Sequence, residues 1–375
     1  MMPVSGFRLG RILGIPIYLH SSWFIIFVLI TYSLATQFTA QHAGWSPAQH
    51  WALGIITSLL FFASVVFHEL GHSVVAIRYR IPVLSITLFV FGGLARIGRE
   101  PSSAKQEFNI AIAGPLASFF LAGGFFLLGR VSGSNEMLAA TSNWLANINF
   151  VLGAFNLVPG FPLDGGRILR AIAWGISHNF MQATRVASRG GELFAYLLIF
   201  LGIWRALSGN WIGGLWLVFI GWFLLSAARE SLAQVAIRNT LRGMRAADVM
   251  SQDVPSVARD ISLEDYIHEV LRTGRRCHIV TGNGVPVGLI TLHAVREVPR
   301  DEWANTSVQA AMLPRDRIHS VAPGEPLLHV LERMQNEDIN QMPVMNDGQL
   351  VGMITRDSIL RAIQTRLQVD HLAEQ

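Results

Sequence analysis

Residues 51–77 read WALGIITSLLFFASVVFHELGHSVVAI, and the only ionisable side chains in that run are His68, Glu69 and His72. A helix needs about 20 apolar residues to cross the hydrocarbon of a bilayer, so the run has the length of a membrane span. A charged side chain at the centre of such a helix costs about 2.5–3.5 kcal/mol on the insertion scale, so charges there are seldom idle. Residues four apart share one helical face, which lets both imidazoles reach one metal ion with Glu69 beside them. HExxH is the spacing of a hydrolytic zinc site, the Glu acting on water at the metal. Three polar residues satisfied by helix packing are the bland alternative that the pattern alone leaves standing.

The rest of the chain agrees with a membrane setting. Of 375 residues, 51% are hydrophobic and 14% charged, the composition of a multi-pass protein with a soluble portion and the lipid bilayer as partner. Six segments approach spanning length, at 15–36, 52–77, 109–128, 138–158, 191–207 and 211–228. Arg8 and Arg11 before the first of them imitate a signal peptide, but about 20 apolar residues are long enough to span, so a retained first helix is expected. Six crossings place fifteen Lys and Arg up to residue 245 on one side and only Arg130 and Arg205 on the other. By the positive-inside rule the N-terminus and the C-terminal region are cytoplasmic, and the protein sits in the cell membrane. The net charge of +4 thus follows topology, and no nucleic-acid partner is expected. The one cysteine, Cys277, excludes an intrachain disulfide. Its neighbours Arg275 and Arg276 leave a reactive thiol open against an ordinary half-buried one.

Two further regions have their own patterns. Val83 to Ile97 is too short to span. It alternates Leu84, Ile86 and Leu88 with Ser85 and Thr87, and Gly92-Gly93 follows as a turn. This predicts a β-hairpin over 83–91 and 94–98, which must lie against protein because open strands cannot face lipid. An edge strand there suits an unwound substrate segment, although a surface hairpin without such a role fits equally. After residue 245 the apolar runs stop and a repeat begins. Val257 matches Val321, Leu263 matches Leu327, Gly288 matches Gly352 and Thr291 matches Thr355, each at an offset of 64. Each copy reads as short helix, strand, helix and two strands, a small α/β module that pairs with its twin. The expected domains are therefore 1–230 in the membrane, a linker over 231–245, and two modules over 246–306 and 307–375.

A hydrolytic zinc takes three protein ligands and one open position. Two histidines leave one ligand missing, and Asp164 is the best candidate. It follows Pro159 and Pro162, which end the fourth span, and precedes Gly165-Gly166, which permit a tight turn. Asp is also a strong N-cap, so a helix-capping role stays open. Asn156 lies about two helical turns before Asp164 and could donate to an oxyanion, or could equally bond to a neighbouring helix.

His68-Glu69-Leu70-Gly71-His72 together with Asn156, Pro159 and Leu163-Asp164-Gly165-Gly166-Arg167 resembles the site-2 protease family of intramembrane zinc metalloproteases. Phe91-Gly92-Gly93-Leu94-Ala95-Arg96 and Ala113-Gly114-Pro115-Leu116-Ala117 resemble it too, and the likeness covers residues 1 to about 230. The resemblance implies that His68, His72 and Asp164 bind one zinc, that Glu69 is catalytic, and that Asn156 assists. It implies a single-pass membrane-protein substrate, such as an anti-sigma factor or another signalling protein, cut within or near its membrane segment. Many members have Asn where Ser118 stands here, a departure that bears on substrate contact at that position and leaves the metal motifs untouched.

The repeat resembles a tandem CBS domain on the strength of Gly288-Leu-Ile-Thr291 and Gly352-Met-Ile-Thr355-Arg356-Asp357. The resemblance implies an adenine-nucleotide site at Thr355 and Asp357, with His293 where the first copy would carry its Asp, and a homodimer formed through the pair. The fold class expected is thus a polytopic α-helical membrane domain of about six spans with a membrane-associated β-hairpin, plus an α/β tandem CBS module. The expected function is zinc-dependent intramembrane proteolysis under nucleotide control. A CBS-gated metal or ion transporter is the competing class, but it gives no reason for Glu69 between the two histidines.

Overall fold

A computed structural model describes residues 6–373, so the outermost residues of the expected N-terminal and second CBS regions, 1–5 and 374–375, lie outside the described residues. The chain divides into two compact units, one spanning Val4–Ala236 and the other chiefly Ile237–Gln375.

The first unit opens with strands β1 (Gly6–Ile12) and β2 (Ile15–His20), then helices α1 (Ser22–Gln41) and α2 (Pro47–Arg78). The expected first span therefore begins later than residue 15. Ile15, Ile17 and Leu19 alternate with Pro16 and Tyr18, and the odd positions are buried, a period of two that suits a strand rather than a helix. Helix α2 starts at a capping box, in which the Ser46 hydroxyl accepts from the Gln49 amide and the Gln49 side chain accepts from the Ser46 amide, with Pro47 in the first turn. Strands β3 (Val83–Phe89) and β4 (Gly92–Ile97) follow, then α3 (Ala104–Val131), α4 (Glu136–Asn156), α5 (Asp164–Ser177), α6 (Phe180–Leu207) and α7 (Trp211–Leu241).

Among the described residues, five helices are long and apolar enough to cross a membrane: α1, α2, α3, α6 and α7. Helix α4 has the length of a sixth but carries Thr141, Ser142, Asn143, Asn147 and Asn149. Two of these meet α2 in the interior: Asn149 donates to the Ser64 hydroxyl at 3.3 Å, and Thr141 lies 3.4 Å from Thr57. Asn143 and Asn147 are exposed, but the buried part of its polarity is spent inside the bundle, where side-chain hydrogen bonds join helices that no hydrophobic effect would drive together in lipid.

The four strands form one sheet in the order β1-β2-β3-β4. Strands β1 and β2 are antiparallel, β2 and β3 parallel, and β3 and β4 antiparallel with Leu88 opposite Gly93. The hairpin expected from the alternation is present, but its turn is Val90-Phe91, and Gly92-Gly93 open β4 instead. Phe91 can occupy the turn because it stacks on Phe223 of α7 at 4.2 Å. The buried face of the sheet, including Leu19 and Leu88, packs on Trp23, Phe62 and Val65.

The second unit carries α8 (Ala246–Val249), β5 (Ser256–Ala258), α9 (Leu263–Thr273), β6 (Cys277–Gly282), β7 (Val285–Thr291) and α10 (Leu292–Val295). It continues with α11 (Val308–Ala311), β8 (Leu313–Pro314), α12 (Leu327–Asn336), β9 (Gln341–Asn346), β10 (Gln349–Thr355) and α13 (Arg356–Ala373). The copies interlock. Met312 packs on Gly288, where an added Cβ would come within 2.5 Å of its sulfur, and Met250 packs likewise on Gly352 at 2.8 Å. Ala246 lies in the core of the second copy and Val308 in the core of the first. The short helix that opens each sequence repeat thus completes the other repeat. Burial pushes the Cys277 thiol up to about 12, so it stays protonated and the reactive reading falls away.

Candidate metal centre

His68 and His72 lie one turn apart on α2, both buried. The His72 Nδ1–H donates to the Ile110 carbonyl at 2.7 Å, and Ser118 Oγ lies 2.8 Å from His68 Nδ1. With each Nδ1 engaged, both Nε2 atoms are turned to the same point. Asp164 Oδ2 completes the group, 3.1 Å from His68 Nε2 and 3.0 Å from His72 Nε2. The two Nε2 atoms are 3.3 Å apart. A tetrahedral zinc with bonds of about 2.0–2.1 Å separates its ligands by about 3.3 Å. The donor set and its spacing therefore fit zinc, with one coordination position left for water.

The backbone leaves room for that group at one glycine. A Cβ on Gly114 of α3 would lie 2.2 Å from His72 Nε2 and 2.7 Å from His68 Nε2. The neighbouring Gly71 lets α2 approach α3 closely, since a Cβ there would meet the Ala113 carbonyl oxygen at 2.7 Å. The two metal motifs of the sequence are thus joined by a third helix.

Asp164 is the first residue of α5. The N-cap is Leu163 and no side chain caps this helix, so the capping alternative for Asp164 is replaced by contacts to the histidines. Its second oxygen, Oδ1, faces Arg167 at 3.9 Å. Glu69, Asn156, Asp164 and Arg167 line one cavity of about 470 Å³, walled on its apolar side by Phe62 and Val65 among others. Strand β4 closes another side, and Glu69 is pressed against it: a Cβ on Gly93 would come within 2.6 Å of Glu69 Cγ. The sheet order leaves β4 at an edge, and its residues Gly92 to Ala95 are among those that line the cavity.

The resemblance ties Ser118 to substrate contact and not to the metal motifs. The structure places it directly on His68, so the Ser at this position bears on how that ring is held. Sequence reasoning assigned no site role to Glu107, Ile110 or Arg170, and quoted Gly114 only as part of a family motif. A signal existed: 107, 110, 114 and 118 follow the three-and-four spacing of one helical face.

In the second unit, Thr355 and Asp357 line a cleft of about 860 Å³ together with Thr291, His293, Arg276 and Arg317. The Thr355 hydroxyl accepts from the Ser358 amide at 3.0 Å, and the Thr291 hydroxyl from the Ala294 amide at 3.3 Å. The two repeat-related threonines therefore cap the helices that follow them.

The pattern of Peptidase family M50 matches residues 56–139 and 132–199, and that of the CBS domain matches residues 246–301 and 310–365. A Synechocystis protein provisionally named a zinc metalloprotease is 33% identical over 365 residues, 96% of each chain. The zinc metalloprotease MJ0392 of Methanocaldococcus jannaschii is 30% identical over 359 residues, 95% of each chain. Among solved structures, the site-2 protease from Methanocaldococcus jannaschii matches at 32% identity over 60% of this chain and 95% of that one, with a TM-score of 0.41.

Proposed function

The chain belongs to peptidase family M50, the site-2 proteases, with a tandem CBS domain. From that premise we propose that it is a multi-pass membrane zinc metalloprotease that cuts the membrane segment of single-pass proteins. The observation that carries the proposal is the convergence of His68, His72 and Asp164 beside Glu69 in a cavity among apolar helices.

Zinc held by His68, His72 and Asp164 would supply Lewis acidity, which brings the pKa of water toward about 7. Glu69 lines the same cavity as the ligands and is the group placed to accept the proton of the attacking water and hand it to the leaving amine. The Asn156 amide, at the end of α4, is the donor offered to the developing oxyanion. A peptide bond inside a helix is shielded by its own hydrogen bonds, so the substrate must be extended first. Strand β4 offers replacement partners along its free edge, and the substrate adds to it as a fifth strand.

The cleft between Thr291 and Thr355 supports a second reading, in which the CBS pair binds an adenine nucleotide. Asp357 suits a ribose hydroxyl, and Arg276 and Arg317 suit phosphates. Such a ligand can alter proteolysis only by favouring one arrangement of the pair, with an expected coupling of about 1–3 kcal/mol. A cytoplasmic N-terminus and CBS pair, and a homodimer through that pair, complete the proposal on the charge count and the CBS resemblance.

The deciding experiment is cleavage of candidate single-pass proteins by the purified chain in proteoliposomes, with Glu69→Gln as control. Loss of a general acid–base lowers the rate by about 10²–10⁴ while zinc content stays at one per chain. Undiminished cleavage by Glu69→Gln rejects the mechanism. Zinc flux that survives the substitution favours the transporter.

A further inference from the structure

We propose that Glu107 and Arg170 are positioning residues that set Asp164 against the two histidines, so that α3 aligns all three metal ligands along one of its faces.

Glu107 is fully buried on α3, and Arg170 is nearly so on α5. Arg170 Nε donates to Glu107 Oε1 at 2.7 Å, and Nη2 donates to the same oxygen. The guanidinium also lies over two aromatic rings, Phe161 at 4.9 Å and Phe180 at 4.7 Å. Phe161 belongs to the loop that delivers the chain to Asp164, and Phe180 begins α6. One side chain therefore gathers both ends of α5 and fixes them to α3.

The same face of α3 serves the histidines. Glu107 is followed at helical spacing by Ile110, whose carbonyl accepts from His72, then by Gly114, which makes room for both rings, then by Ser118 against His68. The polar partners of Asp164 are His68, His72 and Arg167. It reaches the histidines only from the first turn of α5, and α5 is a stiff helix of 14 residues. Whatever fixes the rotation of α5 fixes the carboxylate six residues before Arg170. A metal site tolerates displacement of only about 0.5 Å or 10–20°.

Stability alone does not explain the pair. Replacing a buried ion pair with apolar groups of similar volume is often neutral or stabilising. Glu107 Oε2 has no hydrogen-bond partner among the described residues, which adds to the cost of burying the carboxylate. What an apolar pair cannot supply is direction. The planar guanidinium is held between rings and points along one line, which fixes the helix by angle as well as by distance.

The inference rests on the metal-centre reading. It is tested on the full chain in detergent by measuring zinc affinity by chelator competition and the unfolding temperature of the metal-free protein. In Glu107→Gln, zinc affinity should fall about 10–100-fold, a loss of the size seen when the groups that orient a metal ligand are disturbed. The pair Glu107→Leu with Arg170→Met should unfold at or above the native temperature and yet bind zinc at least tenfold more weakly. Arg170→Lys keeps the charge and loses the fork, so it should not restore affinity, and it serves if the double variant does not accumulate. Native zinc affinity in the double variant or in Arg170→Lys overturns the inference. Asp164→Ala, run alongside, separates it from its premise: if that variant binds zinc as tightly as the native chain, the metal-centre reading fails first.

Discussion

Gly114 has no side chain, and its neighbours are the two Nε2 atoms on which the proposed metal centre depends. A methyl group there would stand 2.2 Å from His72 Nε2, closer than any non-bonded contact allows, and the rings cannot retreat because Ser118 and Ile110 hold their far sides. Gly114→Ala is therefore expected to lose zinc altogether while the chain still folds, checked by metal analysis together with circular dichroism of the purified variant. Retention of one zinc per chain would refute the placement. The sequence shows Gly114 only as part of a Gly-Pro pair. The pairing that makes the glycine necessary joins residues far apart in the chain, and no local propensity encodes it.

Strand β4 matters as an element because of its place at the sheet edge. With Val90-Phe91 as a two-residue turn and Phe89 opposite Gly92, the ladder alternates so that the amides of Gly93 and Ala95 point away from β3. Proline at Ala95 removes one outward donor without breaking the pairing inside the hairpin. Cleavage should fall about tenfold, at the upper end of what one backbone hydrogen bond contributes, with zinc content unchanged. Equal turnover would leave β4 as a wall of the cavity and no more. The alternation of Leu84, Ile86 and Leu88 announces a hairpin. That β2 joins it in parallel, which pushes β4 to the outside, follows from a strand taken from within the expected first span.

The second unit shows its own chemistry at the scale of the molecule. His278 on β6 is buried with neither ring nitrogen bonded among the described residues, and the Tyr266 ring meets it edge-on at 5.3 Å. Burial lowers its pKa below the ordinary 6.5, with Glu269 opposing and Arg275 reinforcing the shift. A group bound more weakly to its proton when folded contributes stability that is complete above about pH 6.5 and is lost as pH falls through the lowered value. The thermal unfolding of this unit should therefore drop between pH 7 and pH 5, and His278→Leu should flatten that slope. A profile that is flat in the native chain would place the ring in contact with solvent. The cleft of Thr355 and Asp357 is tested by calorimetry with ATP, ADP and AMP on the full chain, with Asp357→Ala as control. Binding of at least one nucleotide that weakens in Asp357→Ala is expected. No heat at millimolar nucleotide would make the pair a dimerisation or docking module, without touching the metal centre.

Much of this was legible in the sequence because the constraints are local or periodic. A bilayer demands about 20 apolar residues in a row, one helical turn brings His68 to His72, and a 64-residue offset exposes the repeat. Membrane spans, a hydrolytic motif and a paired α/β tail follow from those alone. The tertiary structure decided what depends on distant segments meeting. It made a strand of Ile15–His20, by pairing it with β3. It turned Asp164 from a possible cap toward the histidines and brought Ser118 against His68. It set the face of α3 that carries Glu107, Ile110, Gly114 and Ser118 against Arg170 and the two histidines, and it exchanged the opening helices of the two repeats. Each of these is a contact between residues tens of positions apart. A sequence shows which side chains are available for such contacts, but only packing selects which of them meet.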